Sequence, residues 1–542
     1  LLTIFAVLLG LPLLLIVMVF VAPKPVFAVA DKLIANKLDA DSYNRQSAYS
    51  GSGFAPQHKE LSHADIRVEG EIPADLSGVY LRNGTNTQFD KTESRVHMFN
   101  GAGMLHQVQI LNGVATYSNS YVRTPRFCSN EEHGAELYPE FGDIAGGGKP
   151  GLFKLVLSAL KQRFSVIPSH SDLESGSSTT AIQQHGNKLY CLQETSFPFA
   201  LNTHLDDGRL MINGQGEWDT FGGELAAPFT AHPKIDAQSG DWYTYSTELK
   251  TGSIQFAVLS EGSLEQRCEL VKMDPALSFL HDYYLTENFS VFPDSSLRFN
   301  SKEMMGDEKS AFVFNPDYKM RFGVIKRGHQ AGDDIQWFTT DMPGHIWHTI
   351  NGWEEQRDDG GTDIVLYAPV YHSYPSTVPI HSPDEAHAYL HVYRLDLDTG
   401  EVTDQRQLLD HFYERPSFNT KYLGRKSRYA YLLDEEASGG IMGKGVLKYD
   451  LIDEQEKEYV DYGEYFGGEA LFVSKPNAVD EDDGYLLTYV TDMNDSSSEC
   501  LIMDARDVAA GPIARIKLPA RITNGTHACW VEAERFHGEL GA

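Results

Sequence analysis

Cysteine is scarce and unpaired in this chain. Cys128, Cys191, Cys268, Cys500 and Cys529 are odd in number, widely spaced and free of any CxxC pair. That argues against both a disulfide framework and a thiolate zinc site. Positive charge is also short: 45 Lys and Arg stand against 76 Asp and Glu, a formal net charge of −31. Phosphate recognition needs a concentrated basic face, so nucleic acid is not an expected partner. The acidic residues are spread along the chain rather than gathered in a tail, and read as solvated surface. Long apolar runs are missing from all but one place. The exception is LLTIFAVLLGLPLLLIVMVFVA, residues 1–22, which carries no charge. About 20 apolar residues span a bilayer as a helix, so this segment is expected to be a membrane anchor. A secretory signal is the alternative, because AVA at 28–30 resembles a cleavage site, although signal h-regions run only about 7–15 residues. The chain is therefore expected to be membrane-associated, or exported if that segment is cleaved.

Residues 23–53 are polar without a sustained pattern and read as a linker, leaving 54–542 as the folded domain. What fills that domain is a rhythm of short β-branched and aromatic runs bounded by turn residues. KLYCLQE (188–194), DWYTYSTEL (241–249), DIVLYAPVY (363–371), AYLHVYRLD (388–396), YAYLLDE (429–435) and YLLTYVTD (485–492) are examples. Turns such as DLDTGEV (396–402) separate them, with Gly and Asp supplying the backbone conformations. So many strands imply an all-β solenoid, sandwich array or propeller; a propeller manages its sheet edges by radial repetition. Seven blades would average about 70 residues each, longer than a compact propeller repeat and leaving room for loops over one face. One segment breaks the rhythm. GLFKLVLSALKQRFSV (151–166) is a helix pattern, apolar nearly all round, whose only charges are Lys154, Lys161 and Arg163. It reads either as a buried cap helix or as a monotopic helix dipping into a bilayer beside the entrance for a lipid substrate.

Histidine is plentiful, at 20 residues, and four copies lie in strand, aromatic or turn contexts: His232 in FTAHPKID, His281 in LHDYYLTENF, His348 in IWHTINGWEE and His527 in NGTHACW. Their separations of 49, 67 and 179 residues exclude a single helical HExxH site. They suit one residue from each of four blades converging on an axis.

Taken with GVYLRNGTNTQF (78–89), HMFNGAGMLH (97–106), GRKSRYAY (424–431) and GGEALFVSKP (467–476), these segments resemble the carotenoid cleavage oxygenase family over essentially everything after residue 50. The resemblance implies a seven-bladed β-propeller with a loop and helix cap over one face. It further implies ferrous iron held by His232, His281, His348 and His527, with Glu194, Glu414 and Glu469 supporting three of the histidines from behind. In the family pattern a ligand is followed by two residues and Asn, which selects His348 of HTIN; His345 falls outside it, and residues three apart on a strand face opposite sides. The implied activity is O2-dependent cleavage of one carbon–carbon double bond of a carotenoid or apocarotenoid, giving two carbonyl products. A stilbene-cleaving enzyme, a non-oxidative isomerohydrolase on the same iron, and a non-catalytic membrane-tethered propeller are the alternatives. The chain departs from the family at Asn100 and Ala102, where carboxylates are usual, and at Thr526 and Ala528 beside the last histidine.

Overall fold

A computed structural model describes residues 18–45, 47, 49, 54–248, 253–260, 263–269, 278–306, 309–330, 332–376, 386–435 and 442–536. The run expected to anchor the chain, residues 1–22, lies almost wholly outside them. Among the described residues no helix is long and apolar enough to cross a membrane.

Of the eight antiparallel sheets among the described residues, seven are the blades of a β-propeller and the eighth is a two-stranded hairpin. Blade I is built on Gly78–Asn86, Ala102–Leu111 and Val114–Tyr121. Blades II to VI are four-stranded units beginning at Ala181, Lys234, Tyr284, Asn351 and Tyr413. Blade VII runs from Tyr465 to Lys517. The ring is fastened twice by distant chain ends. Gly525–Glu532 pairs antiparallel with Gly78–Asn86, and Arg67–Gly70 pairs antiparallel with Pro512–Lys517.

Closure is equally visible in the core: seven of the nine apolar clusters among the described residues lie one at each junction between neighbouring blades. Val79 and Leu105 of blade I meet Leu189 and Phe199 of blade II. Tyr190 meets Trp242 between II and III, and Tyr245 meets Phe292 between III and IV. Phe322 meets Tyr393 between IV and V, and Trp353 meets Leu432 between V and VI. Tyr431 meets Phe472 between VI and VII, and Ile516 meets Tyr117 between VII and I. Each sheet buries both faces of its middle strands against its neighbours, so these are nearly continuously buried rather than alternating: Thr362–Tyr371 is buried at nine of its ten positions, whereas the outer Glu401–Gln407 is buried at none.

Outside the ring, the three longest helices among the described residues are α1 (Pro23–Leu38), α2 (Pro125–His133) and α3 (Gly148–Arg163). The stretch that reads as a linker from residue 23 is thus helical at its start, with proline in the first turn, good helix formers after it, and Phe27 and Leu38 buried. It packs on α3 through Phe27 against Phe164, 6.0 Å between ring centroids, and through Lys161 to Asp31 at 3.0 Å. A local sequence pattern misses it because a partner far along the chain supplies the burial. Helix α3 approaches the chain before it closely, since a Cβ on Gly151 would fall 1.7 Å from the Asp143 carbonyl oxygen. Only Gly148, Gly151, Leu157 and Ser158 of α3 are buried, so it is not an ordinary core helix.

Candidate metal centre

His232, His281 and His348 each stand two or three residues ahead of the first strand of blades III, IV and V; His527 lies within Gly525–Glu532 of blade I. One nitrogen from each of these four rings falls within 4.8 Å of the others. The Nε2 atoms of His232 and His281 are 2.9 Å apart. The rings meet edge to face, with centroids 4.4 to 5.2 Å apart for the pairs that include His232.

The other three blades contribute the glutamates. Glu194 of blade II faces His281 Nδ1 at 2.6 Å, Glu414 of blade VI faces His348 Nδ1 at 2.5 Å, and Glu469 of blade VII faces His527 Nδ1 at 2.8 Å. Every blade thus supplies one residue to the assembly. Accepting a proton at Nδ1 fixes the tautomer and turns the lone pair of Nε2 toward the axis.

A strand irregularity aims His527. Arg82 pairs with Ala528 but Gly84 with Gly525, so the two strands slip relative to one another across this histidine. The slip needs glycine: a Cβ on Gly84 would lie 2.4 Å from the Gly525 Cα. The two departures beside His527 leave the scaffold intact. Thr526 Oγ1 donates to the Thr180 carbonyl, and the Ala528 N–H donates to Glu469 Oε1 at 3.5 Å. At the other departure, Asn100 is a structural turn residue: its Nδ2 donates to the Arg95 carbonyl at 2.7 Å and its Oδ1 accepts from Gly142 N at 2.9 Å.

Electrostatics keeps the rings of His232 and His348 neutral. Burial, reinforced by His527, His281 and His348 around it, holds the His232 imidazole far below its usual range. Burial, then His527 and His281, does the same to His348. Burial opposes ionisation of Glu194, yet the adjacent His281 wins and lowers its carboxyl below the ordinary range. Glu414, enclosed in blade VI, is pushed up by burial to about 7.

These residues fit a metal ion. His348 Nε2 is buried without a protein partner, and an unsatisfied buried polar atom costs about 1–3 kcal/mol that a cation would relieve. Two nitrogens at right angles on a cation about 2.1 Å away lie roughly 3 Å apart, which matches the His232–His281 spacing. Four imidazoles suit iron, copper, nickel or zinc rather than magnesium or calcium. No thiolate competes: burial pushes the thiol of nearby Cys529 up to about 12.

His345 stands apart. Its ring is fully buried with Nδ1 2.9 Å from Ser295 Oγ, and its backbone bridges Tyr371. The segment from His345 to His348 precedes the blade V strand rather than belonging to it, so the separation of the two rings comes from that bridge and not from strand alternation. An aromatic wall lines this side of the quartet. Trp347 packs 5.1 Å from His281, 4.8 Å from Phe279 and 6.1 Å from Tyr374, and Phe279 packs 4.6 Å from Phe312. Periodicity gives no hint of this wall; Trp347 and Phe279 show only as aromatics one and two residues before a quartet histidine. Asp282, buried directly after His281, is likewise missed, although its adjacency to a histidine is legible.

Known proteins place this geometry. The family model described as retinal pigment epithelial membrane protein (RPE65) matches residues 54–532. Carotenoid 9,10(9',10')-cleavage dioxygenase 1 of Arabidopsis thaliana is 31% identical over 506 residues, 90% of each chain. Lignostilbene dioxygenase of Pseudomonas brassicacearum superposes with a TM-score of 0.75 at 25% identity, over 89% of this chain and 98% of that one. A variant of Synechocystis apocarotenoid oxygenase, at 23% identity, shares the fold with a TM-score of 0.72 over 89% of this chain and 98% of its own. A propeller whose seven blades bring four histidines and three glutamates to one axis, matched along nearly its whole length by that model and by named dioxygenases, belongs to the RPE65/carotenoid cleavage oxygenase family of enzymes.

Proposed function

We propose that the protein is a non-haem iron(II) dioxygenase that cleaves one carbon–carbon double bond of a carotenoid or apocarotenoid with O2, giving two carbonyl products. The observation that carries this reading is the histidine quartet, buttressed by three carboxylates and, among the described residues, joined by no carboxylate or thiolate donor. Iron(II), when bound by His232, His281, His348 and His527, supplies the redox chemistry that O2 needs to react with a closed-shell alkene. Glu194, Glu414 and Glu469 keep Nδ1 of their histidines occupied and Nε2 free for the metal. The half-buried rings of Trp347, Phe279, Phe312 and Tyr374 offer an apolar surface on which a rigid polyene can lie. Which double bond stands at the axis is then a matter of positioning along that wall, and no protein acid or base is required.

An apolar substrate also needs an apolar approach. Phe20, Val21, Val29 and Leu33 on or beside α1, and Phe153, Leu155, Val156 and Leu160 on α3, are exposed. Of the charges expected to make α3 cationic, two are paired within the protein, Lys154 with buried Asp143 at 2.5 Å and Lys161 with Asp31, while Arg163 stays exposed. We read this face as a surface that rests in a bilayer, from which substrate is drawn.

Product analysis under 18O2 tests the proposal, using iron-loaded protein with a carotenoid, an apocarotenal and a hydroxystilbene. Label in aldehydes or ketones from a polyene is expected. Cleavage confined to the stilbene would support the reading that the likeness to lignostilbene dioxygenase favours. A geometrically isomerised product carrying oxygen from water would replace both with an isomerohydrolase.

A further inference from the structure

Three of the four quartet rings rest on a glutamate, and His232 does not. Among the described residues no carboxylate pairs with its imidazole; its main-chain N–H donates to Thr230 Oγ1 at 3.1 Å. A different carboxylate holds the segment that carries it. Asp282, the residue after His281, is only 2% exposed. Its Oδ1 accepts from Lys234 Nζ at 2.7 Å and from the Tyr283 N–H at 2.8 Å. Its Oδ2 accepts from Thr349 twice, from the N–H at 2.8 Å and from the hydroxyl at 2.7 Å. Lys234 lies two residues after His232, and Thr349 directly follows His348. One buried carboxylate therefore ties together the histidine-bearing segments of blades III, IV and V. The ring pair held at 2.9 Å, His232 and His281, is the pair whose segments the Lys234–Asp282 ion pair joins.

Fold stability gives little reason for such a group. A buried ion pair commonly does no better than well-packed apolar residues of the same volume, and the interface between blades III and IV already has the Tyr245–Tyr283–Phe292 cluster. What apolar packing cannot do is fix three backbone segments through directed bonds to one point. We propose that Asp282, acting through Lys234 and Thr349, is a positioning carboxylate for the quartet, setting His232 against His281 and His348 in place of the glutamate that His232 lacks. This inference rests on the reading of the quartet as a metal centre.

The test uses the full chain loaded with Co(II) as a spectroscopic probe and with Fe(II), comparing wild type, Asp282→Asn, Thr349→Val and Thr349→Ser. Asp282→Asn is expected to shift the visible Co(II) bands and to speed metal release to a chelator by about 10-fold or more. Thr349→Val should act in the same direction by less, and Thr349→Ser, which keeps the hydroxyl, should match wild type. A purely structural staple would lower the melting temperature of metal-free protein and leave the bands and the release rate where they are; that result overturns the inference. If Asp282→Asn does not fold, Thr349→Val decides by the same two readings. Wild-type protein that takes up no metal would overturn the metal-centre reading and this inference together, an outcome distinct from normal uptake with unchanged release in the variants.

Discussion

Two regions of this molecule reverse the usual arrangement of polarity, and they do so in opposite senses. At the axis, four histidines, three glutamates and Asp282 are gathered inside a ring whose blade-to-blade clusters are apolar. On α1 and α3, at the outside, large apolar side chains face solvent, with Phe153 64% and Phe20 71% exposed. Buried polar groups and exposed apolar patches are the informative exceptions to burial statistics. The difference between them lies in what completes each. The hub is internally paired, with a carboxylate behind three rings and an ion pair beside the segment that carries the fourth. The helical face is paired along its inner side, where Lys154 and Lys161 meet Asp143 and Asp31, and lacks a whole surface. On the function proposed above, a small cation would complete the first and an apolar phase the second.

The comparison breaks first at the hub. Replacing His281 or His348 by alanine is expected to abolish both metal uptake and turnover, since each removes a quarter of the donor set and leaves a glutamate facing a cavity. Metal analysis of purified variants checks the first effect and product formation the second. Chelation of the wild type should cause the same loss reversibly, with Fe(II) restoring activity; turnover by verified metal-free protein would remove the hub from the chemistry.

The ring around the hub should answer differently. Trp353 is buried between blades V and VI against Tyr367, with Leu432 in the same cluster. Trp353→Ala should cost about 3–5 kcal/mol, read as a lower denaturant midpoint. Metal bound per folded chain should stay at the wild-type level, because none of these side chains touches the quartet. A drop in metal content matching the drop in stability would show that hub and ring are one cooperative unit rather than a rigid frame and a site.

Smaller changes sharpen the hub itself. Glu194→Gln, Glu414→Gln and Glu469→Gln each keep the shape of the carboxylate while removing its charge, and should each weaken metal binding or turnover by about 10- to 100-fold. Isothermal titration on metal-free protein would rank them. Equal losses would mean that the three glutamates act by orienting their rings. A distinctly milder effect at Glu414, whose carboxyl burial pushes up to about 7, would mean that charge matters most where it is most readily held.

The two regions were unequally legible in the sequence, for a physical reason. Strands announce themselves through local composition, so AYLHVYRLD coincides with the observed Ala388–Asp396 and YAYLLDE with Tyr429–Asp434. The sevenfold repeat does not, because blade IV carries an inserted hairpin, Leu297–Phe299 with Phe312–Phe314, and blade V has a long connection between Tyr371 and Ala388. The quartet is scattered over nearly 300 residues, and no local pattern unites it; motifs shared with a family single out its members, and folding brings them within 4.8 Å. Lys234, Asp282 and Thr349 escape even that reading, since an ion pair spanning 48 residues has no signature in either segment. Helix α1 is the converse case. Its sequence suggests a linker, and its helicity depends on α3, more than a hundred residues away.

The helical face yields the smallest effect and the finest distinction. Phe153 and Val156 lie on the exposed side of α3, with none of the ion pairs that bind Lys154 and Lys161 to the rest of the protein. Phe153→Asp combined with Val156→Asp should therefore leave the melting temperature and the metal content unchanged. Burial of a large apolar side chain is worth about 1.5–3 kcal/mol when complete. Partial immersion in a headgroup region gives less, so vesicle partitioning should fall by roughly one decade. Cosedimentation with neutral phosphatidylcholine vesicles measures this, and because those lipids carry no net charge, the binding should change little between low and high salt. Turnover of substrate dissolved in detergent should be the same in variant and wild type, while turnover of substrate held in vesicles should fall with the partitioning. Equal loss in both media would place these residues in the route to the axis rather than on a surface that rests in lipid, and the contrast between an inner site completed by an ion and an outer face completed by a membrane would then give way to a single path running from one to the other.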